Sequence, residues 1–211
     1  FFNKISEYYM NKHKEYDKDY YLQNHINALN SPFSFFVKLY YRYIASYIMA
    51  KPVNLKKGDK VLDIGCGVGI LIKQFNRLGY KGTGVDVNEE AIKNSIYPSS
   101  CVLVETTGKL DFPDNYFDLV VSREVLEHIA EENIDQCIEE WDRVSKGKMV
   151  HIIAVSERGP SAVDDPAHIN VQDVNWWVDK FKKHGYKATR QPKKLFLSPF
   201  GKEGYLMFVK E

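Results

Sequence analysis

Two stretches of the 211-residue chain gather groups able to hold or transform a ligand. The first is Val61-Leu62-Asp63-Ile64-Gly65-Cys66-Gly67-Val68-Gly69, a strand-like run entering a turn with glycine at alternate positions and leading directly into a helix. Glycine tolerates positive φ and lets a ligand approach the backbone, while the start of the helix offers N–H groups. The turn reads as a ligand cradle. A second strand, Gly82-Thr83-Gly84-Val85-Asp86, ends in a carboxylate 21 positions after Gly65, the separation at which an acid takes both hydroxyls of a ribose. Strand, turn, helix, strand and acid in this order imply a nucleoside ligand. The spacing is G-x-G-x-G with Asp63 ahead of it, unlike the G-x-G-x-x-G of dinucleotide sites. The second stretch is Arg123-Glu124-Val125-Leu126-Glu127-His128-Ile129. In a helical turn Glu124, Glu127 and His128 stand at i, i+3 and i+4, so two carboxylates and an imidazole share one face. Asp164-Asp165-Pro166-Ala167-His168 forms a polar loop expected to reach over the same edge.

A frame for these groups follows from periodicity. Residues 60–64, 82–87, 101–105, 117–122 and 148–155 read as strands, and 70–78, 89–95, 132–144 and 171–183 as helices. Such alternation predicts an α/β fold with a parallel sheet covered on both faces. Residues 187–191 and 205–210 are strand-like and suggest a closing hairpin. Ahead of the sheet, Ser31-Pro32 supplies an N-cap and first-turn proline. From Phe33 to Ile48 apolar residues recur at helical spacing, predicting an amphipathic helix that ends before Pro52. Residues 1–30, polar and tyrosine-rich, are expected to form an appended helical segment. The domain reading is an N-terminal helical extension, lid or cap, over 1–54 and an α/β domain over 55–211.

Composition limits the alternatives. With 44% hydrophobic and 27% charged residues, disorder, collagen and coiled coil are excluded. No apolar run approaches the roughly 18–20 residues of a transmembrane helix, and Phe1 to Met10 lack the features of a signal peptide. Cys66, Cys101 and Cys137 are too few and scattered for a disulfide framework or zinc ribbon, which predicts a reducing, cytoplasmic setting. Cys66 reads as a small filler of the cradle.

On these residues the chain resembles the class I S-adenosylmethionine-dependent methyltransferases. VLDIGCGVG is similar to their first motif, GTGVDVN to their second, and LDFPDNYFDLVVSREVLEHI to the segment through their fourth strand. The likeness, spanning about residues 55 to 210, implies a Rossmann-like seven-stranded sheet with a C-terminal antiparallel hairpin, and S-adenosyl-L-methionine as cofactor. It implies that Asp63, Gly65, Cys66, Gly67 and Gly69 line the methionine half and that Asp86 takes the ribose. Val87 would flank the adenine, Thr106 would lie at its edge, and Arg123 would stand beside the methionine moiety. Where the family often has Gly-Asp-Ala after the third strand, this chain has Glu105-Thr106-Thr107. Arg42 is expected to pair the cofactor carboxylate, as an arginine near this helix does in metal-dependent relatives.

Glu124, Glu127, His128 and His168 resemble the set found in a subgroup that includes ubiquinone-biosynthesis O-methyltransferases and small-RNA terminal 2′-O-methyltransferases. That subgroup binds a divalent metal with these four side chains. Two carboxylates and two imidazoles suit Mg²⁺, Mn²⁺ or Zn²⁺ and leave positions for substrate oxygens. The implied substrate is a small molecule with vicinal hydroxyls, catechol-like or a sugar. A similar Leu-Glu-His-Ile run is structural in metal-independent members, so metal-free O- or N-methylation, with His128 or His168 as catalytic base, stands as an alternative. A catalytically inactive cofactor-binding subunit is another. The net charge of +1 hides three blocks: ten Lys/Arg against five Asp/Glu in 1–60, ten against 21 in 61–179, and nine against two in 180–211. The basic ends admit RNA or an anionic lipid surface as partner, although a solvated face is the simpler reading.

Overall fold

The computed structural model describes residues 34–156, 167–190 and 204–210. The expected appended helix over 1–30, the Ser31-Pro32 cap, Asp164 to Pro166 and the loop between the last two strands lie outside them. Seven strands form one sheet: β1 Lys60–Ile64, β2 Lys81–Asp86, β3 Cys101–Leu103, β4 Leu119–Arg123, β5 Lys148–Ile153, β6 Tyr186–Arg190 and β7 Gly204–Lys210. Their order is β3-β2-β1-β4-β5-β7-β6. The pairs among β1 to β5 are parallel, whereas β7 runs antiparallel to both β5 and β6. This is the Rossmann-like sheet with a closing antiparallel pair that the resemblance implied.

Central strands are apolar on both faces because helices cover both. In β1, Val61, Leu62 and Ile64 are fully buried, as are Leu119, Val120 and Val121 in β4. On one side, helices α4 (Glu131–Val144) and α5 (Val174–Lys183) contribute Ile138, Trp141, Trp177 and Phe181 to a core shared with Leu62, Met149 and Phe208. On the other, α1 (Ser34–Tyr43) continues through the wider coil Ile44–Ala50, where the Lys51 amide donates to Ser46 O, five residues back, at 2.8 Å. Ile44, Ile48 and Met49 pack there on Val121 and Val150, together with Leu71 and Phe75 of α2 (Ile70–Arg77). The segment from Ile44 to Val53 thus shares a core with the sheet. Short α3 (Glu89–Lys93) is capped by Asn88, whose Oδ1 accepts from the Ala91 amide at 3.0 Å. Helix α5 begins at Val174 rather than 171 because Asp173 caps it, accepting from the Trp176 amide at 2.7 Å.

The chain moves outward from β1 through β2 to β3, then returns to lay β4 against the other side of β1. Connections therefore diverge at the carboxyl ends of β1 and β4, which opens the crevice where sheets of this kind bind ligands. Among the described residues no helix is long and apolar enough to cross a membrane.

Candidate active site

The glycine turn lies at that crevice. Gly65, Gly67 and Gly69 have φ of 68°, 53° and 80°, values L side chains rarely adopt. A Cβ on Gly65 would stand 2.4 Å from Val125 Cγ2, so the turn also needs glycine to pass the segment after β4. The Gly65 and Cys66 amides both donate to Val85 O, at 2.8 and 3.0 Å. Asp86 closes the cradle: its Oδ2 accepts from the Gly67 amide at 2.7 Å and its Oδ1 from the Asn88 amide at 2.8 Å. A carboxylate oxygen accepts more than one hydrogen bond, so this bracing is compatible with receiving a diol. Val87 is 37% exposed beside it. Thr106 is also exposed, its Oγ1 accepting from the Gly108 amide at 3.1 Å.

Asp63 is buried on β1, and its carboxyl is pushed well above the usual range. Burial is the main cause, followed by Cys101 and Asp86, while Arg123 opposes them. Arg123, at the end of β4, donates from Nη1 to Tyr41 Oη at 3.4 Å. Its guanidinium lies 5.4 Å from the Tyr41 ring centre and 5.9 Å from that of Tyr40. These two tyrosines of the apolar stripe of α1 form a wall beside Arg123, a contact that helical spacing alone does not reveal. Arg42, between Tyr41 and Tyr43, is exposed.

The second stretch differs from a regular helical turn. Glu124 has φ of 55° and its amide donates to Ile152 O at 2.8 Å, so it extends the β4 edge instead of entering a helix. Only Leu126–His128 coil, as one 3₁₀ turn. The i, i+3, i+4 face therefore does not form, yet Glu127, His128 and His168 still converge. One ligand atom from each lies within 4.8 Å of the others. Glu127 is fully buried; Oε1 accepts from the Ala154 amide at 3.0 Å, and Oε2 accepts no hydrogen bond among the described residues. Burial, and then the neighbouring Glu124 carboxylate, push its pKa well above the ordinary value. His128 Nδ1 stands 2.9 Å from Ala167 O. A carbonyl only accepts, so Nδ1 carries the proton and Nε2 the lone pair. The His128 and His168 ring centres are 4.8 Å apart at 68°. A buried carboxylate beside the imidazoles of His128 and His168, the former oriented by Ala167 O, is a donor set that fits a divalent ion. Away from this edge, Arg143, Lys146 and Lys210 line a polar hollow before β5 together with Asp114 and Asp142, and they are engaged there in ion pairs.

Residues 62–152 match the family described as methyltransferase domain. A ribosomal protein L11 methyltransferase of Thermotoga neapolitana is 36% identical over 106 residues, 47% of this chain and 38% of that protein. A ubiquinone biosynthesis O-methyltransferase of Rhodopseudomonas palustris is 36% identical over 88 residues, 39% of this chain and 34% of that protein. The matched part thus spans little more than a third of either relative. A solved S-adenosylmethionine-dependent methyltransferase from Archaeoglobus fulgidus superimposes with a TM-score of 0.65 at 21% identity, covering 82% of this chain and 94% of that one. At that identity the superposition speaks for the fold.

Proposed function

We propose that the chain is a class I S-adenosylmethionine-dependent methyltransferase and that it methylates an oxygen of a small molecule bearing vicinal hydroxyls, catechol-like or a sugar. The observation that carries this reading is the convergence within 4.8 Å of Glu127 and His128, from the segment after β4, with His168, from the stretch after β5. In this reading Asp86 receives the ribose hydroxyls, Val87 and Thr106 border the adenine, and the Gly65 to Gly69 turn with Asp63 and Arg123 holds the methionine half. S-adenosyl-L-methionine brings an activated sulfonium methyl, which leaves orientation and proton removal to the protein. Glu127, His128 and His168, with Glu124 beside Glu127, would hold Mg²⁺, Mn²⁺ or Zn²⁺. A divalent ion there supplies Lewis acidity that lowers the cost of removing a hydroxyl proton. The Tyr40 and Tyr41 wall orients Arg123 and narrows access from the side of α1. We assign the reaction to a reducing, cytoplasmic compartment, supported by three free thiols.

One observation favours a second reading. The Nδ1–H of His128 is held by Ala167 O at 2.9 Å, which gives Nε2 the lone pair of a general base for metal-free O- or N-methylation. Formation of S-adenosylhomocysteine from a catechol and from a sugar diol separates the two. Under metal-assisted transfer, turnover stops with a chelator and returns with added Mg²⁺, Mn²⁺ or Zn²⁺. Full turnover by metal-stripped Glu127→Ala/His128→Ala protein excludes the metal role. A binding subunit would gain about 2.7 kcal/mol of stability at 100 times the cofactor dissociation constant, yet form no product. An RNA substrate would bind with steep salt dependence, which a neutral small molecule does not show.

A further inference from the structure

Two thiols meet beneath the glycine turn. Cys66 lies between Gly65 and Gly67 and is 8% exposed; Cys101 opens β3 and is 7% exposed. Cys101 is the register partner of Gly84 on β2, and register partners in a sheet project to the same face at about 4.8 Å spacing. A Cβ on Gly84 would lie 2.6 Å from Cys66 Cβ and 2.7 Å from its Sγ. The Cys66 sulfur therefore occupies the space over Gly84, next to the Cys101 side chain. From the other side, a Cβ on Gly69 would lie 2.7 Å from Cys101 Sγ. Gly69 and Gly84 leave room for the two sulfurs, which pack with Ile72 in one cluster.

The Cys66 thiol donates to Gly67 O at 3.6 Å, and the closeness of the two sulfurs divides their acidity. Cys101 is pulled down to about 7, first by Cys66 and then by Ser95, against burial and the Asp86 carboxylate. Cys66 is pushed up, first by Cys101, then by burial and by Asp63 and Asp86. One thiol ready to ionise beside one that stays protonated is the arrangement of an attacking and a resolving cysteine.

We propose that Cys66 and Cys101 are a redox pair that closes to an intramolecular disulfide when hydrogen peroxide reaches the turn, and that this bond disables the cradle. The Cys101 thiolate attacks one peroxide oxygen; the O–O bond breaks, hydroxide leaves, and Cys101 becomes a sulfenic acid. The Cys66 sulfur then attacks the Cys101 sulfur, the S–O bond breaks, and water leaves as the S–S bond forms. Hydroxide takes up the proton that Cys101 released. In total the two thiols lose two electrons and one peroxide becomes two waters; a dithiol reductant reverses the change. The bond requires Cβ atoms about 3.8 Å apart, and it ties Cys66 to β3 one residue from the Gly67 amide that braces Asp86. The disabling of the cradle rests on the cofactor reading of the turn, whereas the disulfide does not.

The test treats the full chain with hydrogen peroxide, then compares intact mass and non-reduced digests. The expected result is loss of two hydrogens, a Cys66–Cys101 cross-linked peptide, unmodified Cys137, and reversal by dithiothreitol. In Cys66→Ser protein, Cys101 should instead be trapped as a sulfenic acid by dimedone. A cross-link through Cys137, a bond between chains, or unmodified Cys101 overturns the pair. Calorimetric titration with S-adenosylhomocysteine reads the consequence: affinity at least tenfold weaker after oxidation and restored by reductant. Equal affinity in both states overturns the gating. No binding by the reduced protein, with the cross-link still forming, overturns the cofactor reading and leaves the disulfide standing.

Discussion

Glu127 concentrates the energetic cost of the site. Its carboxyl is fully buried, meets the Ala154 amide through Oε1, and is driven well above its ordinary pKa by burial and by Glu124. A raised carboxyl binds its proton in the folded state at pH values where the unfolded chain has lost it. Stability therefore falls as pH rises from the ordinary carboxylate value through the raised one. Glu127→Gln keeps a carbonyl for the Ala154 amide and removes the ionisation. Metal-free variant protein should be more stable than wild type by about 1–3 kcal/mol near neutral pH, the cost of a poorly satisfied buried group. Urea denaturation across the acid to neutral range should show the gap widening with pH, and added divalent ion should stabilise only wild type. A constant gap would remove the assignment of the pH effect to Glu127. At this scale the sequence was legible where the signal is local. Alternate glycines and a strand-ending acid require little context, and Gly65, Gly67, Gly69 and Asp86 meet as expected. Glu124 was not legible, because its positive φ arises from the bond to Ile152 O, a residue of another strand. Tyr40 and Tyr41 were hidden for a similar reason: their partner, Arg123, is 82 positions from Tyr41.

Among the elements, β1 and α4 carry clear periodicity, and their observed limits fall within one residue of those read from the sequence. β3 is shorter than its apolar run, with Val102 47% and Leu103 45% exposed at the sheet edge, because an edge strand pairs on one side only. The approach to β4 depends on a tie that periodicity does not reveal. Arg143, in the last turn of α4, donates from Nη1 to Phe112 O at 2.8 Å and from Nη2 to Leu110 O at 2.9 Å. It also pairs with Glu140 at 2.7 Å and Asp114 at 2.6 Å, and Glu140 Oε1 accepts from the Leu110 amide at 2.6 Å. One guanidinium thus folds the 110–114 loop onto the helix and sets where β4 begins. Half of these contacts are to carbonyls, which are left without a donor when the side chain is removed. Arg143→Ala should cost about 2 kcal/mol, less than the sum of its bonds because the side chain is 35% exposed and its ion pairs are screened. That corresponds to a fall of about 4–8 °C in melting temperature. Arg143→Lys should recover little, since an ammonium cannot span both carbonyls in the planar fork. Full recovery by lysine would reduce the tie to simple charge.

Across the whole molecule, folding brings together charge blocks that are separate along the chain. Asp135 and Asp142 of α4 pair with the basic end: Lys180 Nζ at 3.0 Å and His184 Nε2 at 2.8 Å meet Asp135, and Lys210 Nζ at 2.5 Å meets Asp142. Part of the basic tail therefore neutralises the protein's own acids, which the running charge could not reveal and which weakens the case for an anionic partner. Each pair keeps one partner about half exposed, Asp135 or Lys210, so solvent screens it and it contributes little to stability. A buried histidine predicts acid sensitivity of the fold. His151 on β5 has no exposure; its Nδ1 lies 2.8 Å from Ser122 Oγ, and its ring is packed among Trp141, Phe181 and Phe208. Burial pulls its pKa down from 6.5 to about 3. The unfolded chain gains this proton as pH falls below about 6.5, while the folded chain resists until about 3, so the neutral imidazole's contribution is lost across that window. At 1.36 kcal/mol per unit the full effect is about 4–5 kcal/mol. Asp63 and Glu127 titrate in the opposite sense, so the quantity to measure is the difference between wild type and Ser122→Ala/His151→Leu, which removes both hydrogen-bonding partners together. Denaturant melts should show this difference shifting in the variant's favour by several kcal/mol from neutral pH toward pH of about 3. Parallel acid limbs would mean that His151 is not the group that drives acid unfolding.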